Sequence, residues 1–224
     1  MSDGKVKEIG GLNNNAITTF YIPNMALSVS GVNNCSALTT VVIGASLTSF
    51  TGFNNCPKLN KFTVDSSNTT FKVVDNNLCQ GNKLCRVPMS KSDIVVTNGT
   101  TEIMSNAIQI AFVNSISIPN GCILANDSIK CQSVGQIIFH TSFNTETGKY
   151  NNLTLTDFST LDNVQVGTIF AYGNGITDTT NANCLPIVKY CIEHNINYVD
   201  MNETNTNARG TIGISGNAEL DGDN

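Results

Sequence analysis

The chain has 224 residues, enough to bury one large core, yet only 13% of them are charged, against roughly 25% in an average globular domain. Its polarity comes from Asn, Thr and Ser, with 32 Asn alone. A net charge of −5 with 12 Lys and Arg argues against a nucleic-acid groove or a polybasic membrane patch, and no run approaches the ~18 apolar residues of a membrane-spanning helix.

Met1-Ser2-Asp3-Gly4-Lys5 leads into no apolar stretch, so no signal peptide is expected in this sequence. The location is left open. The protein is surface-exposed if a leader was removed or if it belongs to a virion, and cytoplasmic as the sequence stands.

From residue 17 the chain repeats. Ile17-Thr-Thr-Phe20-Tyr-Ile22, Leu38-Thr-Thr-Val41-Val-Ile43 and Leu59-Asn-Lys-Phe62-Thr-Val64 all read apolar-x-x-apolar-x-apolar at a spacing of 21. Val113-Asn-Ser-Ile116-Ser-Ile118 and Val134-Gly-Gln-Ile137-Ile-Phe139 repeat the pattern, again 21 apart. Leu161-Asp-Asn-Val164-Gln-Val166 is a looser sixth match. The x-apolar-x-apolar part alternates with the two-residue period of a strand. One such unit cannot bury its own apolar face, so the units are expected to stack into a solenoid. Leu38, Val41, Ile43, Leu59, Phe62 and Val64 form its expected core.

Upstream of the strands, Val32-Asn-Asn-Cys35 matches Phe53-Asn-Asn-Cys56, and Leu12-Asn-Asn-Asn15 is a weaker copy. Cys131 sits in the same phase. Asn suits a corner because its amide bonds neighbouring backbone, and Cys suits it as a small buried group. Cys35 and Cys56 are then close enough for a disulfide. Reduced corner fillers is the reading that free Cys burial favours, and most of the eight cysteines are expected to be reduced. Cys79 and Cys85 flank Gln80-Gly81-Asn82-Lys83 and could face each other across a turn.

Residues 65–97 break the period. Phe71, Val73, Leu78, Leu84 and Val87 alternate around the turn residues Asp75-Asn76-Asn77 and Gly81-Asn82, which predicts an inserted antiparallel hairpin. A degenerate coil follows with the strand Ile94-Val95-Val96. Leu185–His194 has helical apolar spacing, with Asn183 as an expected cap, and Ile196-Asn-Tyr198-Val199 reads as a strand. Residues 1–201 are thus one mainly β solenoid with a hairpin insertion at about 65–97 and a closing helix and strand at 184–200. Residues 202–224 read as a polar tail.

These residues resemble the BspA-like leucine-rich repeats of bacterial and protist surface proteins. Ile22-Pro23 and Ile118-Pro119 look like the family's strand-Pro step, and Asn34-Cys35-Ser-Ala-Leu38 and Asn55-Cys56-Pro-Lys-Leu59 like its corner. Phe62 to Leu78 resembles its inserted segment, Leu84 to Pro88 the second hairpin strand, and Ala171 to Val199 the closing helix and strand. Gly31-Val32 and Gly52-Phe53 depart from the family's Ala-Phe, and residues 140–160 keep no clear unit. The resemblance implies a leucine-rich-repeat solenoid and a binding or adhesion role without catalytic residues.

Chemistry has few carriers. His140 follows a strand and His194 ends the expected helix, and neither has a motif partner. Gly10-Gly11 opens a repeat rather than a dinucleotide turn. No calcium-loop pattern or C-x-x-C zinc pair occurs. No catalytic residue, metal or cofactor is assigned. Six Asn-x-Ser/Thr sequons, at Asn34, Asn68, Asn98, Asn126, Asn152 and Asn202, are what such a composition produces, and no glycosylation is inferred.

The expected binding site is a surface. The x residue between the last two apolar positions points outward, giving a row of Tyr21, Val42, Thr63, Val95, Ser117 and Ile138, flanked by Thr40, Lys61, Ser115 and Gln136. Such a face suits a protein or glycan ligand. The function expected is a non-enzymatic interaction or adhesion module. The alternative is a structural or accessory protein of a larger assembly such as a phage virion. It would dock, or form a homo-oligomer, through the open edge at Ile17–Ile22 or through the tail strand Thr211-Ile212-Gly213-Ile214-Ser215 added to another chain.

Overall fold

A computed structural model describes residues 8–13, 16–202 and 211–212. The elements in chain order begin with β1 (Glu8–Ile9), β2 (Thr19–Tyr21), β3 (Ser28–Val29), β4 (Thr40–Ile43), β5 (Ser49–Phe50) and β6 (Lys61–Val64). Then come β7 (Phe71–Val74), β8 (Asn77–Gln80), β9 (Lys83–Arg86), β10 (Asp93–Val95), β11 (Glu102–Ile103), β12 (Phe112–Ile118), β13 (Ile123–Leu124) and β14 (Ser133–Phe139). The chain continues through β15 (Phe143–Asn144), β16 (Lys149–Tyr150), β17 (Gln165–Ala171), α1 (Pro186–Glu193), β18 (Asn197–Asp200) and β19 (Thr211–Ile212).

The result is a β-solenoid. Coils stack in parallel register, with Phe20, Val41 and Phe62 aligned across β2, β4 and β6, and Ile94, Ile116, Ile137, Ile169 and Tyr198 across β10, β12, β14, β17 and β18. The opposite side is built from β1-β3-β5 and from β7-β8-β9-β11-β13. Alternation decides which side chains fill the space between. Leu38, Val41, Ile43 and Leu59 are fully buried and Phe62 is 2% exposed. Val64, at the end of its strand, is half-buried.

The corners explain the Asn-Asn-Cys signature. Asn34 and Asn55 both have φ 54, the left-handed conformation Asn tolerates better than most residues. Asn55 Nδ2 donates to Asn34 Oδ1 at 2.9 Å, and the Asn54 amide donates to Asn33 Oδ1 at 3.1 Å, so amides bond coil to coil. Cys35 and Cys56 beneath them are fully buried, and all eight cysteines are buried and free. Gly31 and Gly52 pack so closely that a Cβ on Gly52 would lie 2.8 Å from the Gly31 amide. Their φ values of 63 and 90 also exclude the Ala of the related pattern.

The insertion is a three-stranded antiparallel unit, β7-β8-β9, turning at Asp75 and Asn76 (φ 50 and 63) and at Gly81. Cys79 pairs with Leu84 across it, one position away from Cys85. This insertion divides the solenoid. No strand pairing joins β6 to β10 or β5 to β9. The two stacks meet instead at a seam held by side chains and loop bonds. Phe50 meets Phe71 edge-on at 6.3 Å, the Ser90 amide donates to the Leu59 carbonyl, and Asn76 Nδ2 donates to the Asn60 carbonyl.

Three expectations are corrected. Leu161 is not a strand position: it ends a 3-10 turn at Ser159–Leu161. The sixth unit is Val166-Gly-Thr-Ile169-Phe-Ala171, with Val166 opposite Val134. The extra length is taken up by the β15–β16 hairpin and by that turn, whose Thr160 Oγ1 accepts the Ile129 amide. Secondly, Asn183 does not cap α1. Leu185 is the N-cap without a side-chain bond, and Pro186 starts the helix, where its missing N–H costs nothing. Finally, β19 pairs antiparallel with β18, Thr211 opposite Val199 and Ile212 opposite Tyr198. Those two tail residues therefore extend the chain's own sheet, as its last strand among the described residues. Gly213, Ile214 and Ser215 lie outside the described residues. At the other end, β2 pairs with β4 alone among the described residues.

Candidate functional site

The outward positions fall into two rows, not one. Tyr21, Val42 and Thr63 stand in register on β2-β4-β6, and Val95, Ser117 and Ile138 on β10-β12-β14. The β7–β8 turn bonds to both stacks. Its Asn76 reaches back to Asn60, and its Asp75 accepts a 2.6 Å hydrogen bond from Thr97 Oγ1. The second row runs further than the repeat pattern indicates, because Phe170 and Val199 follow Ile138 in register. Phe170 was missed through the misplaced sixth unit; the apolar-x-x-apolar-x-apolar spelling at Val166 would have found it.

Val95 is 65% exposed at the start of this longer row, and the other members are half-buried by their neighbours. The flanking row is Asp93, Ser115, Gln136, Thr168 and Asn197. Ser115 Oγ donates to Asp93 at 2.7 Å and Ser92 Oγ at 3.0 Å, and these bonds hold the Asp93 carboxyl below its usual range. His140 Nε2 lies 2.8 Å from Ser117 Oγ at the same face. In the shorter row, Tyr21 is 70% exposed, with Thr40 and Lys61 beside it.

His194 caps α1, stacks on Tyr190 at 4.0 Å and bonds its carbonyl through Nδ1. Tyr190 Oη donates to Asp162. This arrangement ties the closing helix to the 3-10 turn. Among the described residues, no group of three His, Cys, Asp or Glu is placed to hold a metal. Two sequons are structurally spent: Asn68 Nδ2 donates to the Gly44 and Leu47 carbonyls, and Asn202 Nδ2 to those of Tyr150 and Gly173.

Neither a family model nor a curated protein matches the chain. A crystal structure of a leucine-rich cell surface protein from Faecalibacterium prausnitzii is similar at 16% identity and TM-score 0.44, over 80% of this chain and 52% of that one. The chain thus spans about half the length of that protein. The solenoid assignment rests on this chain's own strand register.

Sequence reasoning also missed the seam. A cavity of about 350 Å3 opens there between Phe50, Thr51, Gly52 and Asn54 of the first stack and Cys85, Arg86, Met104, Ser105 and Asn106 of the second. A larger cleft of about 570 Å3 runs beside it along the corners, with Asn54, Asn55, Gln109, Asp127 and Lys130 in its walls. Arg86 is only 3% exposed.

Proposed function

We infer that the chain is a non-enzymatic recognition module that binds a protein or glycan through its longer outward row. The carrying observation is the in-register alignment of Val95, Ser117, Ile138, Phe170 and Val199 across five parallel strands. Apolar tips alternating with hydroxyl and amide rows offer both contact area and hydrogen bonds to a flat ligand. The BspA-like resemblance of the repeats supports the same reading and suggests adhesion at a cell surface. The alternative is a role in a phage virion or similar assembly, docking through the edge at Ile17–Ile22 or through the tail strand, of which Thr211 and Ile212 pair with β18 as the last strand of their sheet among the described residues.

The test is binding of the purified chain to immobilised proteins and a glycan array, with Val95→Asp and Ile138→Asp as probes. Both positions are outside the core, so the circular dichroism and melting curve should stay as in the parent. Binding should fall for both variants. A specific ligand held equally well by parent and both variants would move the site off this face.

A further inference from the structure

The ladder of amides along the corners of the first stack stops at the seam. Counted back from Cys35, Cys56 and Cys131, the residues Asn34, Asn55 and Lys130 hold the same repeat position, and Gln109 joins them because Ile108 bridges Ile129 in parallel. Within the first stack the corner is bonded coil to coil. Asn33 Oδ1 accepts the Asn54 backbone N–H at 3.1 Å, and Asn34 Oδ1 accepts from Asn55 Nδ2 at 2.9 Å. Gln109 is the next rung by phase, but its carboxamide is taken at both ends. Its Oε1 accepts from Arg86 Nη1 at 2.6 Å and its Nε2 donates to Asn106 Oδ1 at 3.0 Å.

The last corner of the first stack is therefore left with open acceptors. Asn55 Nδ2 is turned back to Asn34, and the oxygen and nitrogen of a carboxamide diverge, so Asn55 Oδ1 is directed away from Asn34. Neither that oxygen nor the Asn54 carboxamide has a partner among the described residues. Both residues are exposed and line the cleft of about 570 Å3. The second stack contributes Gln132 and Asn163 to the same lining, both exposed and with side-chain amides unbonded among the described residues. Lys130 and Asp127 pair at 3.4 Å, so the charges of the lining cancel. Buried Ile129 and Cys131 add an apolar part.

We propose that this cleft binds an uncharged, Asn-bearing peptide segment that supplies the missing rung, with a backbone N–H donated to Asn54 Oδ1 and a carboxamide N–H to Asn55 Oδ1. The chemistry is read from the preceding coil, where the equivalent oxygens of Asn33 and Asn34 take these two donors from Asn54 and Asn55. A charged segment would lose hydration without gaining an opposite charge, because Lys130 and Asp127 are already paired. The cleft volume falls in the roughly 300–1,000 Å3 of small-ligand sites, which suits a few residues of extended chain. Gln132 and Asn163 add donors and acceptors for the rest of its backbone. This site is independent of the outward row, which lies on strands and not at the corners.

The test uses the full chain labelled with 15N-asparagine and the blocked peptide acetyl-Gly-Asn-Asn-Ala-amide. The side-chain amide signals of Asn54 and Asn55 are followed through a titration. The expected result is a saturable shift of both signals, and none with acetyl-Gly-Ala-Ala-Ala-amide. Asn54→Ala removes a side chain without a partner among the described residues, so its melting curve should match the parent. Asn55→Gly keeps a residue at ease with φ 54 and deletes the second acceptor. Each variant, read on the remaining asparagine, should bind the peptide about two- to tenfold more weakly, the scale of one neutral hydrogen bond. No saturable shift, an equal shift with the alanine peptide, or an unchanged affinity in either variant would overturn the proposal. So would maltotriose saturating the same signals where the peptide does not, which would assign the cleft to a glycan.

Discussion

Phe50→Ala should be among the most damaging single substitutions in this chain. Phe50 is 8% exposed in β5, the last strand of its side in the first stack. Its ring stacks on Phe53 at 4.7 Å and meets Phe62 edge-on at 6.0 Å and Phe71 at 6.3 Å. Phe71 belongs to the insertion, so one ring joins the first stack to the seam. Emptying a core Phe site costs about 3–5 kcal/mol, or roughly 6–20 °C in melting temperature for a chain of this size. Phe50→Leu keeps most of the volume and should cost less than about 1.5 kcal/mol. A double-mutant cycle between Phe50 and Phe71 should return about 0.5–1.5 kcal/mol, the usual worth of an aromatic pair. Urea unfolding followed by far-ultraviolet circular dichroism gives all of these values; tyrosine fluorescence is the second probe, as the chain has no Trp. A Phe50→Ala cost within the ~0.5 kcal/mol typical of surface sites would refute the packing.

Other expectations follow from single contacts. A Cβ on Gly173 would collide with the Asp200 carboxylate and the Tyr198 hydroxyl, so Gly173→Ala should lower stability by about 1–3 kcal/mol; an unchanged urea midpoint would show that Asp200 is seated elsewhere. Asn34→Ala should cost about 1–2 kcal/mol for its left-handed backbone, and Asn34→Gly less, as measured by the same unfolding curves. Burial raises the thiols of Cys122 and Cys131 to about 11 and of Cys191 to about 12, from an ordinary 9.0. The folded thiols hold their protons where the unfolded chain releases them, so their contribution is intact below pH 9.0 and is lost as the pH climbs toward 11–12. The urea midpoint should fall across that window, less steeply in Cys191→Ala; a flat profile would contradict the burial.

What was legible in the sequence is the part of the fold that each unit repeats. Strand alternation at Leu38–Ile43 and its copies sets which side chains face inward, because the period of a strand is a local property of the backbone. The turns at Asp75-Asn76 and Gly81-Asn82 announced the insertion for a similar reason: few residues adopt left-handed backbone cheaply. The tertiary structure alone decided how coils stack across interruptions. Leu161–Val166 and Val166–Ala171 spell the same pattern, and only pairing with β14 selects the second. Nothing local says that the β7–β8 turn bonds to both stacks, that β6 and β10 fall in separate sheets, or that β19 folds back onto β18. Arg86 ends β9, whose last three residues are all buried, and its burial follows from the first stack's Gly52 and the second stack's Gln109 meeting over it. Periodicity fixes direction within a coil; which coil lies against which depends on the packing of residues far apart in the chain.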